Sequence, residues 1–149
     1  MLTLRPVQKS DTSALMSLRN GVDTFKWFYS NRQFTLQEVE NWIEKLDPNK
    51  DIVLMAEEDG VLIGTASIYN IENESAEVGR IIVSENIRGK GIGTSILLLL
   101  PAIAKEKGIK LLYANIKVDN VRSYKAFEKA GYTRITTKPE TGYYYEKQI

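Results

Sequence analysis

The residues best suited to chemistry lie in a glycine-rich run, Arg88-Gly89-Lys90-Gly91-Ile92-Gly93-Thr94. It lies between two apolar runs, 78–83 and 96–104, which predict a strand and then a helix. The first N–H groups of a helix lack intrahelical partners and, with the helix dipole, favour a phosphate. Glycine lets a bulky ligand approach the backbone, and Arg88 and Lys90 add positive charge. The run therefore predicts a phosphate-binding turn.

Two better-known phosphate loops do not fit this run. A Walker loop ends in Gly-Lys-Ser or Gly-Lys-Thr after a fixed spacing from its first glycine, and the sequence has no such run. The dinucleotide fingerprint requires a further glycine at the position of Ile96. A tight strand-to-helix connection without a ligand is the alternative that the run alone leaves open.

Composition restricts the available chemistry. The 149 residues include neither Cys nor His, which excludes thiolate nucleophiles, cysteine zinc sites and histidine general bases. Apolar residues make up 43% and charged residues 26%, with a net charge of +1. These values favour one globular domain over residues 1–149 and give no basic field that would attract nucleic acid. The absence of a visible signal peptide or membrane-spanning run predicts a cytoplasmic protein.

Periodicity predicts the element order β-α-α-β-β-β-α-β-α-β-β. This is an α/β domain of the α+β kind, with a mixed sheet of about six to seven strands and about four helices. Ser10-Asp11 and Thr35 are the predicted N-caps of the first two helices. The segment Asn70 to Ser75 is a predicted turn, and Pro101 predicts a kink in the third helix. The segment from the glycine run to Lys117 predicts a parallel crossover.

This order, together with Arg88-x-x-Gly91-x-Gly93, resembles the GCN5-related N-acetyltransferase (GNAT) superfamily. Its members hold the acetyl-CoA pyrophosphate with an Arg/Gln-x-x-Gly-x-Gly/Ala loop after the fourth strand. A second signature is similar to the family's pattern, namely Asp119-Asn120-Val121-Arg122-Ser123 followed by Glu128-Lys129-Ala130-Gly131-Tyr132.

Two motifs in the N-terminal part of the chain narrow the resemblance to one branch of the family. Leu18-Arg19-Asn20 and Thr35-Leu36-x-Glu38-x-x-x-Trp42 resemble the branch that acts on ribosomal-protein N-termini and amino sugars. The downstream signature is also similar to that of aminoglycoside 6′-acetyltransferases. The resemblance implies direct acetyl transfer from acetyl-CoA to a primary amine in a ternary complex, without a metal. Such an amine could belong to an amino sugar, an aminoglycoside-like compound or a peptide N-terminus.

The resemblance also implies which residues hold the cofactor. Backbone groups at the end of the fourth strand face the pantetheine, the glycine run holds the pyrophosphate, and the helix-capping asparagine approaches the CoA arm. The side chains of the two strand residues are also predicted to be core. The implied residues are Ile82, Val83, Arg88, Gly89, Lys90, Gly91, Ile92, Gly93, Thr94 and Asn120.

Glu77 and two residues of the last helix are the candidate catalytic groups. Glu77 is a candidate general base on the fourth strand, and the alternative is a solvated carboxylate opposite a Lys or Arg. Many family members have Tyr where this chain has Phe127. The general acid is therefore Tyr124, Ser123 or no protein group. Tyr124 is alternatively a core ring with a satisfied hydroxyl.

The amine acceptor is expected to lie at the N-terminal side of the site. Its candidate residues are expected to contact the acceptor. The structural alternative is that they only end a helix and form a small core within the loop. They are Arg19, Asn20, Phe25, Trp27, Phe28 and Tyr29. A binding module that senses acyl-CoA without turnover is the rival interpretation. We expect a small-molecule or peptide partner, no nucleic acid or membrane, and an oligomeric state compatible with a homodimer.

Overall fold

The computed structural model describes residues 1–21, 33–138 and 142–149. Its seven strands are β1 Leu2–Pro6, β2 Asp51–Glu58, β3 Val61–Glu72, β4 Ser75–Val83, β5 Leu111–Ile116, β6 Thr133–Lys138 and β7 Gly142–Gln148. The four α-helices of the described residues are α1 Thr12–Arg19, α2 Leu36–Glu44, α3 Ile92–Glu106 and α4 Val121–Lys129. Short 3-10 turns cover Lys9–Asp11 and Glu85–Ile87.

All seven strands form one sheet in the order β1-β2-β3-β4-β5-β7-β6. Every neighbouring pair is antiparallel except β4 and β5, which run parallel. The mixed sheet, the element order and the parallel crossover through α3 are therefore confirmed. The crossover matters for the site because it leads directly from β4 through the glycine run into α3.

The connection between β3 and β4 is shorter than the sequence predicts. The predicted turn from Asn70 to Ser75 is wrong because β3 continues to Glu72. The turn itself is Asn73-Glu74, with φ values of 50° and 65° that suit a two-residue hairpin. Asn70 also has a positive φ, 51°, but it lies at a register shift inside the β3–β4 ladder. It therefore marks a strand bulge and not the turn.

The first helix is present, but its predicted cap has another role. A 3-10 turn precedes α1, and the Asp11 side chain makes no capping hydrogen bond to α1. Its carboxylate instead accepts the Gln8 backbone N–H at 2.7 Å and two Arg5 N–H groups at 2.8 Å. Asp11 is therefore the N-cap residue of α1, as predicted, but its side chain joins the start of this segment to β1 and does not cap α1.

Other predicted helix boundaries are confirmed. The Thr35 hydroxyl accepts the Glu38 N–H and the Glu38 carboxylate accepts the Thr35 N–H, both at 3.1 Å, which is a complete capping box. The Asn120 side chain accepts the Ser123 N–H at 3.3 Å and begins α4. Pro101 lies inside α3, which continues to Glu106 without interruption.

The two faces of the sheet differ. Helices α3 and α4 cover one face, and the main core there includes Val78 of β4, Leu112 of β5 and Leu100 of α3, each at most 1% exposed. Helices α1 and α2 pack on the other face over a smaller cluster of Leu15, Val39 and Met55. Burial of such side chains stabilises each by about 1.5–3 kcal/mol relative to exposure. The rest of the second face carries the polar and aromatic side chains of the site.

Candidate active site

An opening between β4 and β5 forms the centre of the candidate site. The parallel ladder joins only Ser75–Glu77 to Leu111–Tyr113. Beyond this point β4 stays paired with β3, and β5 stays paired with β7. In the described residues, the facing edges of β4 and β5 therefore have no ladder partner past Glu77. The β4–β5 ladder thus ends at Glu77, and the opening, termed the wedge, lies on the side of Glu77 toward the glycine run.

The side chains of the two residues at the end of β4 lie in or against the core, as predicted. The Ile82 side chain is 5% exposed, and Val83 is half-buried against the main core. The Val83 carbonyl accepts the Arg88 Nε–H at 2.9 Å, which fixes the strand end to the glycine run. The backbone contacts predicted for Ile82 and Val83 remain predictions.

The glycine run presents unpaired backbone donors to open space. Gly91, with a φ of 78°, is the left-handed N-cap of α3. The first intrahelical bond is donated by the Ser95 N–H, and within the described residues the N–H groups of Ile92 and Gly93 have no partner. No heavy atom lies within 4 Å of a Cβ built at Gly89, Gly91 or Gly93. The backbone and the free volume therefore suit a bound phosphate.

The other residues of the run surround these donors. Lys90 is exposed, whereas Arg88 and Thr94 are half-buried. A groove of about 460 Å³ leads from Arg88 along the end of β4 to α1. Its lining includes Ala14, Leu18, Gly21, Leu62, Ile82 and Val83. The groove thus connects the glycine run to the helix that precedes the predicted acceptor segment.

The start of α4 holds the candidate general acids. Ser123 and Tyr124 are half-buried, and the Tyr124 hydroxyl makes no hydrogen bond within the described residues. The Tyr124 ring packs edge-on against Tyr143 at 5.4 Å, and the Arg134 guanidinium lies 5.2 Å from its centroid. Phe127 is 2% exposed and packs against Tyr132 at 4.9 Å, so it is a core residue. Both alternatives for Tyr124 remain open, because its ring is packed while its hydroxyl is unpaired.

Glu77 lies at the closed end of the wedge, on the face opposite α4. Its carboxylate accepts hydrogen bonds from Tyr69 Oη and Asn70 Nδ2, each at 3.0 Å, and from Asn115 Nδ2 at 3.4 Å. In the part of the chain that the structure describes, no Lys or Arg forms an ion pair with it. The alternative of a strand carboxylate opposite a cation is therefore wrong, because its partners are uncharged donors. Three donors fix the carboxylate for proton transfer.

Tyrosines surround Glu77 and remain protonated. Burial, the Glu77 charge and the hydrogen bond to Glu77 raise the pKa of Tyr69. Burial and the nearby Glu77 also raise the pKa of Tyr113, whose ring lies 5.8 Å from that of Tyr144. Burial and the hydrogen bond to Glu146 raise the pKa of Tyr144 to about 12. These hydroxyls are hydrogen-bond donors at neutral pH and do not serve as bases.

The predicted acceptor residues divide into three groups. The Arg19 guanidinium stacks on Trp42 at 4.0 Å. The Asn20 amide makes two 2.8 Å hydrogen bonds to the backbone of Phe34, so it closes the segment between α1 and α2. The aromatic candidates lie outside the described residues; they are Phe25, Trp27, Phe28 and Tyr29. Their role in acceptor binding remains a prediction.

Sequence reasoning missed several residues of the acceptor face. Arg80 lies 4.0 Å from the Tyr69 ring centroid, and its Nη1 lies 3.3 Å from Asp51 Oδ1. Tyr69 and Asn115 belong to β3 and β5, so strand pairing brings them to Glu77 of β4, whereas Arg80 lies on β4 itself. The alternation of side chains along each strand could have indicated part of this face. Tyr69, Glu77 and Tyr113 occupy paired positions on neighbouring strands and therefore share one face.

The fold and this site define a class of protein. The sequence profile of the acetyltransferase (GNAT) family matches residues 19–132. The chain belongs to this family, and the resemblance carried by its two signatures is confirmed.

Most of this chain aligns with its curated relatives, but several of those relatives are much longer than this chain. The chain is 24% identical over 99% of its length to the uncharacterised protein MJ1062 of Methanocaldococcus jannaschii, and it spans 31% of that protein. It spans 60% of an uncharacterised N-acetyltransferase, MJ1207, from the same archaeon, at 27% identity over 87% of this chain. It is 27% identical to the putative phosphinothricin acetyltransferase YwnH of Bacillus subtilis, over 88% of this chain and 83% of YwnH.

Solved structures confirm the fold. Aminoglycoside acetyltransferase AAC(6′)-Ib in complex with coenzyme A superposes with a TM-score of 0.84 at 20% identity, covering 99% of this chain and 95% of that chain. The putative acetyltransferase yncA of Salmonella typhimurium, solved with acetyl-CoA, gives 0.83 at 23% identity, covering 99% and 94%. Among the described residues, no helix is long and apolar enough to cross a membrane. Nor do these residues contain a group of three His, Cys, Asp or Glu side chains placed to hold a metal.

Proposed function

We propose that this chain is an acetyl-CoA-dependent N-acetyltransferase that forms a single domain over residues 1–149 and acts on a primary amine. The observation that carries the proposal is the wedge between β4 and β5, which connects the glycine run at one end with Glu77 at the other. The cradle of unpaired N–H groups and open glycine positions suits a pyrophosphate. The presence of coenzyme A or acetyl-CoA in structures of similar fold supports this assignment.

The chemistry follows from the groups at the closed end of the wedge. The thioester supplies the acetyl group, so that a C–N bond forms as the C–S bond breaks. Glu77 accepts the amine proton, directly or through water, because its carboxylate is fixed by Tyr69, Asn70 and Asn115. The departing sulfur takes a proton from Tyr124, from Ser123 or from solvent. The absence of Cys suits direct transfer without an acetylated enzyme.

The acceptor amine belongs to an amino sugar, an aminoglycoside-like compound or a peptide N-terminus. Support for a small-molecule acceptor comes from AAC(6′)-Ib, which is an aminoglycoside acetyltransferase of similar fold. An acyl-CoA-sensing module is the second candidate, favoured by Phe127 at the position where many relatives have Tyr. A panel of amines assayed for thiol release separates the two, since a sensor binds acetyl-CoA and releases no thiol with any amine.

Binding of acetyl-CoA by the glycine run is the first test. A ligand at 100 times its Kd stabilises the folded state by about 2.7 kcal/mol, so acetyl-CoA should raise the melting temperature by several degrees. Gly91→Glu places a bulky anion in the cradle and should abolish the shift. Gly108→Glu is the matched control, because Gly108 has the same φ of 78° and equally open surroundings at the far end of α3.

Two outcomes would contradict the proposal. One is the absence of any shift in the wild type at millimolar acetyl-CoA. The other is an equal shift in the Gly91→Glu variant. If both variants lose stability but only Gly108→Glu keeps the acetyl-CoA shift, the loss belongs to the cradle and not to backbone strain.

A further inference from the structure

A bulge in β4 aims Arg80 at the face of the sheet that carries Glu77. The register passes from Thr65↔Ile82 to Ser67↔Gly79, so two residues of β4, Arg80 and Ile81, lie opposite one residue of β3. Simple alternation from Glu77 would place residue 80 on the α3 side, where Val78 is buried. With a φ of 52°, Arg80 instead reaches Tyr69 and Asp51 on the opposite face.

Helix α1 packs against β3 and β4, and Arg19, its last residue, brings a second guanidinium toward the same region. It is partly buried and stacks on Trp42, and within the described residues it has neither a hydrogen bond nor an ion pair. Burial, and then the nearby Arg80, lower the pKa of Arg19 to about 10, while Asp51 partly opposes this shift. A guanidinium has five N–H donors, and burial without partners is costly. Arg19 is therefore placed to receive an acceptor-only group.

The charges on this face are separated into two ends. Glu77 forms the acidic end, and Arg19 and Arg80 with the single carboxylate of Asp51 form the basic end. Tyr69 lies between the two ends, because Arg80 lies over its ring while its hydroxyl donates to Glu77. A ligand with an amine at Glu77 and an anion at the arginines would compensate both ends at once.

We infer that the acceptor is an amine that also carries an anionic group, carboxylate or phosphorus oxyanion, held by Arg19 and Arg80 about one tyrosine side chain from the reacting nitrogen. This inference rests on the proposed function and narrows the substrate class of the same site to acceptors whose amine also carries an anion, which disfavours aminoglycoside-like compounds. Along the chain, the rest of β4 and the Glu85–Ile87 turn lie between Arg80 and the glycine run. Arg19 and Arg80 are specificity-determining residues and take no part in proton transfer.

The test uses matched pairs of amines with the full chain and acetyl-CoA. Each pair contains an amino acid or aminoalkyl phosphonate and its neutral counterpart, the amide or the amino alcohol, assayed by thiol release. We expect kcat/KM to be roughly 10- to 100-fold higher for the anionic member, as expected for hydrogen bonds to a charged group. Arg80→Gln and Arg19→Gln should remove this preference, and Arg80→Lys should retain part of it.

Controls make the result specific. Lys105→Gln removes the same charge from an exposed site on α3 and should leave kcat/KM unchanged for both amines of each pair. Circular dichroism confirms that each variant is folded. Equal rates for the two members, or Arg variants that slow both equally, would overturn the inference while leaving the acetyltransferase proposal intact.

Binding separates this inference from the proposed function. Titration of the anionic amines into the protein loaded with coenzyme A is followed by NMR line broadening of the amine. Binding that is lost in Arg19→Gln, without turnover of any amine, supports the anionic subsite and contradicts the transferase. Turnover of neutral amines with no preference for the anionic members supports the transferase and contradicts the anionic subsite. Neither binding nor turnover of any amine contradicts both proposals.

Discussion

Glu77 has the fixed position and the partial exposure that its proposed role as general base requires. Its carboxylate accepts three hydrogen bonds from neutral donors and is only partly buried. The donors come from β3 and β5, which lie on either side of β4, so the sheet itself orients the side chain. This arrangement leaves the carboxylate free of a neutralising cation and therefore able to accept a proton.

Glu77→Gln is the variant that tests the base. It preserves shape and an acceptor oxygen for Tyr69, but it cannot take a proton. We expect kcat to fall by about 10²- to 10⁴-fold, and the remaining rate should no longer decrease toward acid pH. Steady-state kinetics from pH 5 to 10 measure this, with the exposed Glu72→Gln as control. An unchanged pH profile in the Glu77 variant would remove it from the mechanism.

The sequence carried information about Glu77 but not about its partners. The sequence alone shows that a carboxylate lies on the strand before the glycine run. Tyr69 and Asn115 lie 8 and 38 residues away, and their approach depends on strand register. Arg80 was missed for the same reason, since alternation assigns it to the core and only the bulge reverses its direction. The glycine run and the Asn120 cap were predictable because their hydrogen-bonding geometry is local.

At the scale of the element, β4 has been shaped by close contact with β3. Tyr69 crosses over Gly79, and a Cβ built at Gly79 would lie 2.9 Å from Tyr69 Oη, with the ring carbons farther away. Glycine therefore allows Tyr69 to reach Glu77 and to lie beneath Arg80. The hydroxyl is the atom that excludes a larger residue.

Gly79→Ala should displace Tyr69 and disturb both ends of the acceptor face. We expect a loss of about 1–3 kcal/mol of stability from this overpacking, measured by urea unfolding, together with a lower kcat/KM. In a Tyr69→Phe background the clashing oxygen is gone, so the same substitution should cost clearly less. The double-mutant cycle isolates this contact. Additive losses would show that Gly79 is needed for some other reason.

At the scale of the whole molecule, the wedge joins two chemical environments through one sheet. The α3 and α4 side supplies the glycine run and the candidate acids, and the α1 and α2 side supplies Glu77 and the arginines. Helix α1 is held against the sheet by β1 and β2. Arg5 of β1 makes this connection, because it pairs with Glu57 of β2 and with Asp11 before α1.

The Asp11 cluster predicts how stability depends on pH. Hydrogen bonds from Arg5 and from the Gln8 N–H lower the pKa of Asp11, against the opposing effect of burial. A carboxylate with a lowered folded-state pKa stabilises the fold above its unfolded value, about 3.9, and this contribution is lost as the pH falls through the folded value. Stability should therefore be constant near neutrality and decrease below about pH 4.

Asp11→Asn tests this contribution by urea unfolding at pH 7 and at pH 3. We expect the variant to lose about 1–3 kcal/mol at pH 7 because Arg5 and Gln8 lose a charged acceptor. The difference from the wild type should shrink at pH 3, where the wild-type carboxylate also becomes neutral. Asp59→Asn is the control, since Asp59 forms an exposed ion pair with the N-terminus and such pairs contribute little to stability. A pH-independent difference between Asp11→Asn and the wild type would assign the loss to packing, and the acid sensitivity would then arise from another carboxylate.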